Sequence, residues 1–217
     1  GGTHNLTIDK PISTTAGTTG KVRGNVVLEA GGKITLSAGA GAGTITTDSL
    51  GNAAAGDVFI HHLSGSTKAI TLSNAISAKG GPTGTAGSSS NGGVVTVWNE
   101  QGTISVDSSI DVSKNASGTN DGAIAFKASG DISDTTNALL TGDTNGTLKA
   151  WSTGGKIVLT QGATVAGTGA GQLGNGSVGH KMATVALETD TAAGTNGSIT
   201  YLDQSAVAVG TIAAGAT

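Results

Sequence analysis

No cysteine occurs in these 217 residues. Neither a disulfide framework nor a cysteine-based zinc site is available, so packing and backbone hydrogen bonds must hold the chain. Charge is also scarce: Asp, Glu, Lys and Arg make up 12% of the residues, the net charge is −3, and Arg23 is the one arginine. Nucleic-acid binding needs a basic stripe to neutralise phosphates, and a membrane-surface anchor needs a basic cluster; the sequence offers neither. No apolar run approaches the ~20 residues of a membrane-spanning helix, and no signal peptide is recognisable. The chain opens at Gly1 without a methionine, as expected for a processed or excised piece.

What the sequence has in excess is glycine, 38 residues, while aromatics are held to 2%. Leu, Ile, Val and Phe together reach only roughly a fifth, close to the composition of disordered chains. Low net charge argues the other way, because disorder usually pairs weak hydrophobicity with strong charge. Periodicity decides between them.

A phrase repeats along the chain. From Gly24 it reads GNVVLEAGGKITLSAG, two alternating runs split by a double glycine. It returns as GDVFIHHLSGSTKAITLS from Gly56, GVVTVWNEQGTISVD from Gly93 and GAIAFKASGDISD from Gly122. Two more copies are GTLKAWSTGGKIVLT from Gly146 and ATVALETDTAAGTNGSITYLD from Ala183. Each run alternates apolar and polar residues with period two, the pattern of a strand with one buried face. A third short run follows at Ile45, Ile76, Ile110 with Val112, Leu139, Val165, and Val207 with Val209. The opening residues Leu6, Ile8 and Ile12 fit the second and third runs, so the chain starts part-way round a turn.

Stacking the copies gives matched columns. Inward on the second strand lie Ile34/Leu36, Ile70/Leu72, Ile104/Val106, Ile132, Ile157/Leu159 and Ile199/Tyr201. Outward between them lie Thr35, Thr71, Ser105, Ser133, Val158 and Thr200. Second-strand spacing varies, 36 residues from Ile34 to Ile70 and 25 from Ile132 to Ile157, mostly after the third run. Loops on one corner tolerate such insertions because closure entropy grows slowly with length. One turn cannot bury its own apolar face, but its neighbours cover it, and strands about 4.8 Å apart bring like residues together. The expected fold is therefore all-β: a parallel β-helix or solenoid of about seven turns, three short strands per turn, forming a single domain over residues 1–217.

The phrase G-x-V-x-L-x-A-G-G-x-I-x-L, as at Gly24 to Leu36, resembles the repeats of filamentous-haemagglutinin-like bacterial exoproteins. That resemblance implies a right-handed helix, export to the extracellular space or bacterial cell surface, and work as an adhesin or fibre. The secretion domain such proteins carry at their N-terminus is not recognisable here.

One outward column draws attention. On the first strand the register aligns Glu29, His61, Trp98, Lys127, Trp151 and Glu188, including both tryptophans of the chain. Aromatics flanking a cation serve either to contact a ligand such as a surface glycan, or a partner, or to form a cation–π ladder. The plainer reading has the two rings packing under a corner loop.

Other residues suggest less. His61 and His62 are neighbours on a strand, point to opposite faces and cannot chelate one metal together. His62 is expected inside, near Asn99 and Ser152, with hydrogen bonding to satisfy it. His4 and His180 lie near loops and point to nothing specific. The segments GTNDG at Gly118, GDTNG at Gly142 and GTNG at Gly194 are similar to calcium-binding loops, but lack the nine-residue period and read as turns. Asp107, Asp111, Asp131 and Asp134 cluster across two turns, as the acids of a polysaccharide-cleaving β-helix would. No histidine is expected near Ser105–Asp107 or Ser133–Asp134 to complete a triad, and Asp134 falls awkwardly at an inward position. GAGAG at Gly39 and GTGAG at Gly167 precede no helix, so no phosphate loop is expected.

The functional expectation is a structural or adhesive segment, with no enzyme activity, cofactor or metal. A carbohydrate-active β-helix enzyme is the alternative, and a hydroxyl face matched to an ordered lattice such as ice a third. With Ala206–Val209 taken as a third strand, a head-to-tail joint between copies would lack one strand, which the tail around Ile212 would supply.

Overall fold

Period-two alternation becomes structure when each strand finds identical neighbours on both sides. In the computed structural model, residues 4–15, 23–49, 53–65, 67–81, 91–114, 118–161, 179–190 and 197–211 are described. They contain strands and no helix, and every paired strand is parallel to its neighbour. The first strands of the turns form one seven-stranded sheet: Val26–Ala30, Val58–His62, Val94–Asn99, Ala123–Ala128, Thr147–Ser152, Thr184–Thr189 and Ala208–Val209. The second strands form another seven-stranded sheet: Leu6–Ile8, Ile34–Leu36, Ile70–Leu72, Ile104–Val106, Ile132–Asp134, Ile157–Leu159 and Ile199–Tyr201. A five-stranded third sheet holds Ile12–Ser13, Ile45–Thr46, Ile76–Ser77, Ile110–Asp111 and Leu140–Thr141. The fold is a parallel β-helix.

The expected columns appear in the expected register. Ile34, Ile70, Ile104, Ile132, Ile157 and Ile199 are Cα partners in succession, and so are Thr35, Thr71, Ser105, Ser133, Val158 and Thr200. All inward members but the last are fully buried, and with the inward columns of the other two sheets they form one continuous core. A phrase-opening glycine has its own reason. A Cβ on Gly56 would overlap the carbonyl oxygen of Gly24, one on Gly93 that of Gly56, and one on Gly122 that of Gly93. At these three corners the turns are stacked so closely that only glycine fits.

Two readings of the third run need correction, and a third falls on a residue that is not described. Leu140, not Leu139, points inward, since Ile110 pairs with Leu140. Val165 lies outside the described residues; the sixth turn continues the third sheet through a bridge between Thr141 and Lys181, which puts His180 after Leu140 in the inward column. Ala208–Val209 is not a third strand: it pairs with Thr184–Val185 and belongs to the first sheet, while Asp203 bridges His180 in the third-sheet position. Residues 202–205, LDQS, carry no apolar alternation. The one-strand gap expected at a head-to-tail joint rested on that assignment and falls with it.

Candidate functional site

Parallel stacking without slippage puts residues of one column directly above each other, so a column of large side chains must form a ladder. The six residues of the outward first-strand column are successive Cα partners: Glu29 with His61, His61 with Trp98, Trp98 with Lys127, Lys127 with Trp151, and Trp151 with Glu188. The His61 ring stacks on Trp98 at 4.3 Å between centroids and 16° between planes. Lys127 Nζ sits 4.8 Å from the Trp98 ring centre and 4.7 Å from that of Trp151, sandwiched between the two indoles. Trp98 therefore has one face under His61 and the other under Lys127, with the ring edges left to face outward.

The ladder is tied at its N-terminal end. His61 Nδ1 is 3.3 Å from Glu29 Oε1, and its Nε2 is 2.9 Å from Glu100 Oε1. Glu100 Oε2 also accepts the Ser64 N–H at 2.8 Å. Burial alone would push the Glu100 carboxyl up, but the hydrogen bonds from Ser64 and His61 and the nearby imidazole outweigh it and hold it below its ordinary value. Glu100 was not on the column because it follows the strand, at the corner. Beside the ladder an open cleft of about 360 Å³ is lined by Trp98, Asn99, Glu100, Lys127, Ala128, Ser129 and Thr153. A sugar that stacks on an aromatic needs a free ring face, and Trp98 has none. Any contact here runs through ring edges, the Lys127 ammonium and the carboxylates at either end.

On the opposite face of the same strands, His62 is fully buried and a Cα partner of Asn99, but neither ring nitrogen has a hydrogen-bond partner among the described residues. The expected satisfaction does not occur. Asn99 Nδ2 donates to the carbonyls of Lys68 and Thr103, both at 2.8 Å, and Ser152 Oγ donates to Gly130 O at 2.8 Å. Those side chains close the corner between first and second strands.

The four clustered carboxylates do separate work. Asp107 accepts the hydroxyls of Ser73 at 3.1 Å and Ser105 at 2.7 Å. Asp111 pairs with Lys79 at 3.3 Å, and Asp131 accepts the Lys156 N–H at 2.8 Å. Since Ser105 pairs with Ser133, Asp107 stands four strand positions from Asp131. That puts their backbone positions roughly 13 Å apart along the sheet.

Asp134 has the opposite of the expected isolation. It occupies the inward place that Val106 holds one turn earlier, and its side chain is fully enclosed. There it accepts the N–H groups of Thr160 at 2.9 Å and Gln161 at 2.8 Å, and lies 2.9 Å from Nε2 of the equally buried His180. His180, expected to have no specific role, is thus an interior residue with buried partners. Its Nδ1 accepts the Leu140 N–H at 3.2 Å, so no serine is served and the pair is no triad. Next to it, Tyr201 donates to Asp203 at 2.6 Å, and burial with that carboxylate pushes the phenol far above its ordinary range. Gln161, at φ 53°, accepts the Gly179 N–H at 2.7 Å. Two inward columns turn polar together, and the result clasps the end of the second strand to the third-sheet position of the same turn.

The loops similar to calcium sites are hydrogen-bonded turns. Asp121 accepts the N–H groups of Lys114 at 2.7 Å and Asn145 at 2.8 Å, while Asn145 Oδ1 accepts the Asp121 N–H at 2.6 Å. Among the described residues no group of three or more His, Asp or Glu is placed to hold a metal ion. The segment at Gly194 starts outside the described residues, as does GTGAG at Gly167. The GAGAG loop at Gly39 is pinned by Asn74 Nδ2, which donates to the carbonyls of Ser37, Gly39 and Ala42.

No protein-family model matches the chain, and neither does any curated protein or solved structure.

Proposed function

We propose that the chain is a structural and adhesive β-solenoid segment of an extracellular or cell-surface bacterial protein, of the filamentous-haemagglutinin-like kind. Its partners on this reading are neighbouring repeats or further copies of itself, together with surface glycans met along the outward column. The observation that carries the reading is the unbroken parallel register, in which most polar side chains near the candidate sites are spent on holding the turns together. A solenoid of this build presents long regular faces, and Glu29, His61, Trp98, Lys127, Trp151 and Glu188 give one face its most distinctive chemistry.

The test is a double substitution, Trp98→Ala with Trp151→Ala, measured for adhesion to cells and immobilised glycans and for thermal stability. Adhesion should fall about tenfold or more, as for loss of two aromatic contact residues. The melting temperature should fall by only a few degrees, because each cation–π contact at a partly exposed site contributes about 0.5–1 kcal/mol. Undiminished adhesion would remove the column from the binding surface.

A further inference from the structure

His61 has one contact too many for a neutral ring. A neutral imidazole carries one N–H and one lone pair, and only the imidazolium donates from both nitrogens. Here both nitrogens face carboxylates, Nδ1 at 3.3 Å from Glu29 and Nε2 at 2.9 Å from Glu100. If either nitrogen were bare, it would aim a lone pair at a carboxylate oxygen. The side chain is 9% exposed and its ring lies flat on Trp98, where an indole face favours a cation. Glu100 is anchored independently by the Ser64 N–H, whereas Glu29 is half exposed and makes no other hydrogen bond among the described residues.

We propose that His61 is a proton-operated clamp across the first three turns. With both nitrogens protonated, the ring binds Glu29 and Glu100 together and ties Val26–Ala30, Val58–His62 and Val94–Asn99 from outside. With one proton, it keeps the shorter contact to Glu100 and releases Glu29. Histidine is the side chain whose charge ordinarily changes between pH 5 and 8. The groups around it are Glu29 from the preceding turn, Glu100 from the following one, Phe59 at 5.5 Å on its own strand, and Lys127 on the far face of Trp98. Lys127 is an opposing charge, and the indole separates it from the ring. The end of the outward column therefore presents a paired carboxylate when the ring holds two protons and a free one when it holds one.

The experiment compares melting temperatures of the full chain and of Glu29→Gln at pH 5.5 and pH 8.5, both above the ordinary glutamate range. The substitution should lower the melting temperature by about 1–3 °C at pH 5.5, as for loss of a surface ion pair in a domain of this size, and leave it nearly unchanged at pH 8.5. In a His61→Gln background, Glu29→Gln should have no effect at either pH. Should His61→Gln fail to fold, nitrogen-15 NMR of the wild-type ring replaces it, and both nitrogens should carry protons at pH 5.5. An equal effect of Glu29→Gln at both pH values, or a ring with one N–H at pH 5.5, overturns the clamp.

Discussion

Ile104→Asp should abolish cooperative folding or cost at least about 4 kcal/mol, because it places an unpaired carboxylate in a dry apolar column. Ile104 is completely buried, with Ile70 stacked on one side and Ile132 on the other. The residues stacked on it are aliphatic, and the thin core leaves no route for the side chain to reach water. Thr71→Asp is the matched control. Thr71 stands in the adjacent outward column between Thr35 and Ser105, where a carboxylate stays hydrated. It should change stability by less than about 1 kcal/mol in urea or thermal unfolding. Similar damage from the two substitutions would mean that the inward and outward faces have been exchanged.

Asp134→Ala should have the second-largest effect, about 3–5 kcal/mol, and the damage should be local. The substitution strands the N–H groups of Thr160 and Gln161 and leaves His180 Nε2 without its carboxylate in a fully enclosed site. Each turn of a solenoid contacts only its neighbours, so stability is nearly a sum of local terms. Hydrogen exchange should therefore accelerate in Ile157–Leu159, Thr184–Thr189 and Ile199–Tyr201, while Ile34–Leu36 and Ile70–Leu72 keep their protection. Uniform acceleration along the chain would show that Asp134 acts globally rather than as a clasp.

These two residues also mark where the sequence was legible and where it was not. Ile104 could be placed from the sequence because its phrase repeats with period two and glycine punctuation, and a parallel stack converts repetition directly into contact. The outward column of Glu29 to Glu188 could be aligned for the same reason, although which ring faces remain open depends on side-chain packing that no pattern encodes. Asp134 and His180 could not be joined, because they belong to strands of different sheets, one turn apart, with Gln161 and Gly179 bracketing the intervening stretch of sequence. Counting register over that length of sequence has no apolar signal to follow once His180 replaces the aliphatic residue of its column. Glu100 escaped for a simpler reason: it sits one residue past the strand, where alternation stops and hydrogen bonding takes over.

The register itself is open to one direct measurement, made simple by the lack of native cysteine. Thr71→Cys with Ser105→Cys places two thiols on adjacent turns, at Cα positions about 4.8 Å apart, within the range a disulfide spans. Thr35→Cys with Ser105→Cys places them two turns apart, at roughly 9.6 Å, beyond that range. Under mild oxidation of the folded monomer, the first pair should close intramolecularly, seen as loss of both free thiols without dimer formation. The second pair should stay reduced. Closure of the two-turn pair, or free thiols in the adjacent pair, would contradict the parallel stacking on which the whole account rests.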